Sequence, residues 1–340
     1  MRLLDSVARS YTPLAVPTGG NPAQIQLPGA SRYAAQMVSC PLRFVLGDDL
    51  TQASADLAYA DGARLVGCLD LLRMPAPHLW IEWNDEVHKR VLHETGSARE
   101  FDSGAAGRKV GILLRASANG LTAVGRTFWA DAAAEQYANV ILSPLETHFD
   151  LRGEFADSKD THDVLSGGFI DATHTGSSDT ASLLDHVRFR FDESWAAYYR
   201  EAAADAEFKR HLIDDSINSI AWDAPLVLAF LLLLSAKDAT RLVPVSRAAI
   251  NRKRLANGRA PLLDHVEVNA CLDAVSTASA GEGSGRQSPR LHHVRGHLVR
   301  RENRVFWRVP HLRGSGSRGA VRSRTVCLAF TRRNDVEARI

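Results

Sequence analysis

At 340 residues, 45% hydrophobic and 24% charged, the chain has the composition of a globular protein with more than one core, which excludes a disordered or fibrous chain. Its net charge of +2 conceals a division: residues 1–236 carry −11, 237–259 carry +6, 260–280 carry −3 and 281–340 carry +10. An acidic body joined to a basic C-terminal third points to an anionic partner, nucleic acid first.

Residues 1–30 hold four prolines and little periodicity, and are expected to form an irregular arm. The start Met1-Arg-Leu-Leu-Asp lacks the apolar core of a signal peptide, and Cys40, Cys68, Cys271 and Cys327 form no C-x-x-C pair. Both features predict a cytoplasmic protein with free thiols. Residues 31–190 read as a β-rich acidic domain, with strands at Phe44–Leu46, Arg64–Leu69, Leu79–Trp83, Val110–Leu114, Val140–Leu142 and Val187–Phe191. Leu79, Ile81 and Trp83 alternate with Trp80 and Glu82, which predicts one core face and one partly exposed face. Ala118-Asn119-Gly120 marks a hairpin turn.

Residues 191–275 read as a helical segment with one following strand. Asp192 is the expected N-cap of a helix striped by Trp195, Tyr198, Tyr199, Ala202 and Ala206. The run Pro225–Ala236 is about half the ~20 residues needed to cross a bilayer, so it predicts a buried helix and no membrane partner. Asp223 and Lys237 at its ends suit the helix dipole. Ser246 caps a short helix stopped by Asn257-Gly258, and Leu263–Leu272 alternates as a strand. Residues 276–289 form a Gly/Ser linker, and 290–340 a small basic antiparallel β module. The fold class is α+β.

The C-terminal module carries the functional reading. With Glu302-Asn303 as a two-residue turn, strand alternation gathers Val294, Leu298, Val305, Trp307 and Val309 on a core face. It gathers His293, Arg295, His297, Arg301, Arg304, Phe306 and Arg308 on the other. Guanidinium groups beside one aromatic ring suit phosphates and a stacked base. The Gly/Ser-rich stretch 313–324 adds Arg313, Arg318, Arg322 and Arg324. Arg247, Asn251 and Arg254 share a helix face at i, i+4 and i+7. The expected function is non-enzymatic binding of DNA or RNA.

Two alternatives use the same residues. His293, His297 and Arg301 have the side chains of a metal-independent ribonuclease, supplying base, acid and stabiliser of a pentacovalent phosphate. A basic module also suits docking on an acidic protein, of host or phage origin, or on the chain's own acidic body. His148, Asp150, Asp157, Asp160, His162, Asp163, Asp171, His174, Asp185 and His186 crowd residues 147–186, but without metal-ligand spacing they read as turn and cap residues. No metal or cofactor is expected. Gly104-x-x-Gly107 and Gly167-Gly168 fit neither a dinucleotide fingerprint nor a P-loop, and no G-x-S-x-G elbow occurs.

Pro75-Ala-Pro-His-Leu-Trp-Ile-Glu-Trp, together with His292-His-Val-Arg-Gly-His-Leu-Val-Arg-Arg and Val305-Phe-Trp-Arg-Val-Pro-His-Leu-Arg-Gly, resembles segments of uncharacterised proteins carried by bacteriophages and prophages. The resemblance covers these motifs and the order of segments, and it implies a phage-related accessory role without assigning any residue.

Overall fold

The computed structural model describes residues 2–9, 14–15, 25–26, 30–97, 107–130 except 119 and 121, 140–151, 167–171, 183–196 except 194, then 207, 217 and 220–271, and 290–320 except 295, 296, 303, 309, 310 and 314. The chain divides into two compact units, Met1–Cys271 with Leu298–Trp307, and Leu272–His297 with Arg308–Ile340. It is an α+β fold with a large mixed sheet in the first unit.

That sheet has 11 strands, three of them only two residues long. Its longer strands are β3 (Leu42–Leu46), β4 (His78–Asn84), β5 (Lys109–Ala116), β6 (Thr122–Ala130), β7 (Ile141–Asp150), β9 (Val187–Phe191), β10 (Thr240–Val245) and β11 (His265–Ala270). The short ones are β1 (Leu14–Ala15), β2 (Ile25–Gln26) and β8 (Ile170–Asp171). The main path runs β10-β11-β3-β4-β5-β6-β7-β1-β2, with β9 beside β7 and β8 beside β9. The β11–β3 and β3–β4 pairs are parallel, and β4 through β7 form an antiparallel meander. The expected hairpin joins β5 to β6, and Gly120 takes φ +68 there, which a side chain disfavours.

Helices cover both faces. On one lie α1 (Leu3–Ala8) and α2 (Ala30–Ser39); on the other lie α3 (Asp48–Ala60), α5 (Asp85–Glu94) and α6 (Asp223–Ser235). A short α4 (Gly62–Val66) follows α3. The segment expected as a strand at Arg64–Leu69 is instead α4 and a 3-10 turn at Leu69–Leu71. Leu65, Cys68, Leu69 and Leu72 are its buried residues, and their i, i+3, i+4, i+7 spacing is a helical one.

Strand β4 departs from the half-exposed expectation, because Leu79, Trp80, Ile81, Glu82 and Trp83 are all buried. The reason is α1, which occupies part of the stretch expected to be irregular. The Glu82 carboxylate accepts the backbone N–H groups of Leu3 (3.1 Å) and Leu4 (3.0 Å) and the Trp80 indole N–H (3.3 Å). These donors occupy orphan amides of the helix start, so a buried carboxylate is tolerated although burial pushes its pKa up. The opposite face packs Phe44 edge-on against Phe230 of α6, ring centroids 5.8 Å apart.

Helix α6 is buried from Asp223 through Leu233, so it has no solvent face, as its apolar run requires. No helix among the described residues is long and apolar enough to cross a membrane. Cys40 and Cys68 are buried free thiols whose pKa burial raises, which keeps them protonated.

The second unit contains β12 (Arg290–Val294), antiparallel to β15 (His311–Arg313) and parallel to β16 (Ser315–Ala320). The linker at 276–289 and residues 321–340 of the basic module lie outside the described residues.

One glycine is dictated by packing. A Cβ on Gly111 would lie 2.2 Å from Cζ2 of the buried Trp80 indole. Gly111→Ala should therefore cost about 1–3 kcal/mol in urea unfolding, and much less when introduced into a Trp80→Leu background. An equal cost in both backgrounds would contradict this packing.

Candidate functional site

Strand β10 is the sheet's edge, and its residues Arg241–Pro244 are exposed. Among the described residues it pairs only with β11, and between them α7 (Ala248–Ala256) buries no residue at all. The pair and its helix form an arm whose tip is tied to itself. Asn251 donates its amide to the Leu262 carbonyl and accepts the Leu262 N–H, both at 2.8 Å. Arg254 Nε donates to the Ala260 carbonyl at 2.8 Å, and the Asp264 carboxylate accepts the Arg247 N–H at 2.5 Å. Ser246 Oγ accepts the Ala248 N–H at 3.3 Å, and Gly258 takes φ +65 at the helix end.

These bonds assign the helix faces. Arg247, Asn251 and Arg254 do share a face, but it is the half-buried one turned to the returning loop, where Asn251 uses its whole amide. The exposed cations are Arg241, Arg252, Lys253 and Arg259. Leu242, Val243, Ile250 and Leu255 are exposed on the same arm, with Leu255 60% accessible.

The C-terminal hairpin consists of β13 (His297–Arg301) and β14 (Arg304–Arg308), with Glu302 at φ +51 in the turn. Leu298 and Val305 are buried in the core of the first unit and Trp307 packs against it. Arg301, Arg304 and Arg308 are exposed, while His297 and Phe306 are half-buried. Arg300, absent from the sequence-derived set, follows the core-facing Leu298 by two and holds Asp70. Its Nη1 and Nη2 meet Oδ1 and Oδ2 at 2.7 and 2.9 Å, and Nη1 also donates to the Gly67 carbonyl at 2.7 Å. The Lys237 N–H donates to the Val305 carbonyl at 3.3 Å, and Lys237 bridges Phe306 as in a parallel sheet. The hairpin is thus fixed where α6 ends and the arm begins.

The strand expected to run unbroken through His293, Arg295 and His297 is divided. His293 lies in β12, opposite Leu312 of β15, whereas His297 begins β13, which pairs with β14. Arg313 is in β15 and Arg318 in β16, so strands occupy much of the Gly/Ser-rich stretch 313–324, whose small residues read from sequence as a loop. Arg295, Arg322 and Arg324 lie outside the described residues.

Of the crowded acids and histidines at 147–186, the described ones are His148, Asp150, Asp171, Asp185 and His186. His148 approaches Glu146, which Arg190 also holds at 2.9 Å and Arg126 at 3.7 Å. Arg126 in turn meets Asp192 at 3.1 Å, so the expected N-cap carboxylate serves an ion pair. Burial alone would raise the Glu146 pKa, but His148, Arg190 and Arg126 outweigh it and hold it at about 2.

A second polar cluster lies under α3, α5 and α6, where no sequence motif marked it. Asp85 opens α5, His88 follows one turn later, and Asp223 opens α6; all three are buried. The Tyr59 hydroxyl of α3 donates to the Trp222 carbonyl, and its oxygen lies 2.6 Å from His88 Nε2. Its single proton is spent on Trp222, so Nε2 carries the imidazole proton and donates to Tyr59. Nδ1 is then a lone pair, aimed at Asp85 Oδ1 (3.5 Å) and Asp223 Oδ1 (3.6 Å). Burial lowers the His88 pKa. Burial, reinforced by the Asp85 charge and opposed by Lys89 and Arg108, pushes Asp223 up to about 8. Among the described residues this is the group whose ligand atoms can hold a metal ion, all within 4.8 Å of one another.

A cleft of about 490 Å³ lined by Ala8, Arg9, Val38, Ala260, Pro261 and Leu263 brings no acid–base pair together. No protein-family model, no curated protein and no solved structure matches the chain.

Two outcomes follow from these contacts. Arg300→Ala should expose the hairpin turn to proteolysis while costing the whole chain no more than about 1 kcal/mol, as an exposed pair does; unchanged cleavage would mean that Asp70 does not hold the hairpin. Because the folded pKa of Glu146 is depressed, its contribution is present above its ordinary value of 4.5 and is lost as pH falls towards about 2. The stability difference between wild type and Glu146→Gln, about 1–2 kcal/mol after screening, should shrink across that window in urea titrations. A difference that stays constant with pH would contradict the assignment.

Proposed function

We propose that the protein binds nucleic acid through its phosphate backbone, using the exposed cations of the β10–α7 arm together with the outer face of the β13–β14 hairpin. The observation that carries this reading is the junction at Lys237, where the Val305 carbonyl accepts its N–H. Two basic segments far apart in sequence meet there in the same unit. Arg241, Arg252, Lys253 and Arg259 supply the arm, and Arg301 and Arg304 the hairpin. Phe306, half-buried on β14, is the stacking candidate. Exposed guanidinium groups hold phosphate oxygens without selecting a sequence, so the expected activity is sequence-tolerant binding.

The location proposed is cytoplasmic, and the resemblance to phage-borne proteins supports an accessory role there. The ribonuclease alternative rests on His293, His297 and Arg301, of which His293 and His297 belong to strands of different sheets. A protein partner is the second reading, favoured by the exposed Leu242, Val243, Ile250 and Leu255.

Filter binding of labelled DNA and RNA across a salt series separates the two. Nucleic-acid binding predicts affinity that falls steeply with salt, with Arg252→Ala, Lys253→Ala, Arg301→Ala and Arg304→Ala each flattening the log–log slope by about one, and with the RNA left intact. Salt-independent binding, or slopes unchanged in all four variants, would refute it. A protein that co-purifies after nuclease treatment would favour the second reading.

A further inference from the structure

We infer that Asp85, His88 and Asp223 form a binding site for one divalent first-row transition ion, Zn²⁺ by its coordination preference. Three potential ligand atoms converge in the interior: Asp85 Oδ1, Asp223 Oδ1 and Nδ1 of His88. Asp85 Oδ1 and His88 Nδ1 have no hydrogen-bond partner, and their residues are 1% and 0% exposed. Buried polar atoms are normally satisfied, so two unsatisfied acceptors facing a third mark a place for a cation.

The spacing fits an ion better than a hydrogen bond. The 3.5 and 3.6 Å separations exceed the range of about 2.7–3.2 Å for N–H···O bonds. They match the edge of a tetrahedron around an ion with ligand bonds of about 2.0–2.2 Å, whose ligand atoms stand about 3.3–3.6 Å apart. One imidazole with two carboxylates is a donor set for Zn²⁺, Co²⁺ or Mn²⁺, whereas Mg²⁺ and Ca²⁺ prefer oxygen alone. The surroundings supply the outer partners that such ligands use. Tyr59 accepts the Nε2–H and fixes the ring, and Arg108 approaches the second Asp85 oxygen at 3.5 Å. An ion there ties the start of α5 to the start of α6.

The test uses the untagged full chain, stripped with a chelator and titrated with ZnCl₂, CoCl₂ or MgCl₂. One Zn²⁺ should bind per chain, Co²⁺ should give the strong visible absorption of a low-coordinate site, and Mg²⁺ should not bind. Asp223→Asn and His88→Gln should each weaken Zn²⁺ binding by roughly 100-fold or more, since each removes a ligand. The melting temperatures should cross over. Without metal, Asp223→Asn melts at or above wild type, because the amide is spared the burial of a carboxyl beside Asp85, whereas Zn²⁺ raises only the wild-type value. Absence of stoichiometric Zn²⁺ and Co²⁺ uptake by the wild-type chain would overturn the inference, as would equal Mg²⁺ binding or undiminished uptake in both variants. The Co²⁺ spectrum of the wild type decides the matter even if a variant fails to fold.

Discussion

Helix α6 has no polar face, so it must be covered on every side, and this constraint organises the first unit. Leu226 to Leu233 are buried throughout, against β3 through Phe44 and Phe230 and against α3. Covering an all-apolar helix requires helices around it and a sheet beneath. The sheet's own other face must then be closed as well, which is what α1 and α2 do. Strand β4, central in that arrangement, is buried on both faces, and Glu82 can be accommodated there because three N–H groups converge on it.

Both ends of α6 carry consequences for function. At its start, Asp223 is drawn into the interior beside Asp85 and His88, where burial pushes its pKa up. At its end, the chain emerges at Lys237 and turns into the edge strand β10, and the hairpin from the far end of the sequence attaches at that point. One buried helix thus delivers a closed polar cluster at one end and an open basic surface at the other. The two differ in chemistry: the cluster is desolvated and made of acceptors, while the surface is solvated and made of donors.

The sequence discloses elements where local pattern and tertiary role agree. The strand at Val187–Phe191 and the apolar helix are legible because their pattern matches their burial, and the strands at Leu79–Trp83 and Val110–Leu114 are legible from their short runs of β-branched, aliphatic and aromatic residues. The segment Arg64–Leu69, which α4 and the following 3-10 turn share, is misread because Leu-Val-Gly-Cys-Leu resembles a strand locally, although Leu65, Cys68, Leu69 and Leu72 hold helical spacing. The second face of β4 is illegible because only α1, from the opposite end of the chain, covers it. The basic character of the arm and hairpin is visible from charge alone, but which cations face outward is not: Asn251 and Arg254 are turned inward by backbone carbonyls that no motif announces, and Arg300 reaches Asp70 across the fold. Asp85, His88 and Asp223 escape detection because two of them belong to one helix and the third to another, distant in sequence.

The central claim is that arm and hairpin act as one surface on an unmoved core. Hydrogen–deuterium exchange of the full chain, with and without a saturating oligonucleotide, tests it most directly. Added protection is expected in peptides covering 241–259 and 298–308 together, with α6 and β4 exchanging as before. Protection confined to one of those segments, or to neither, would contradict it.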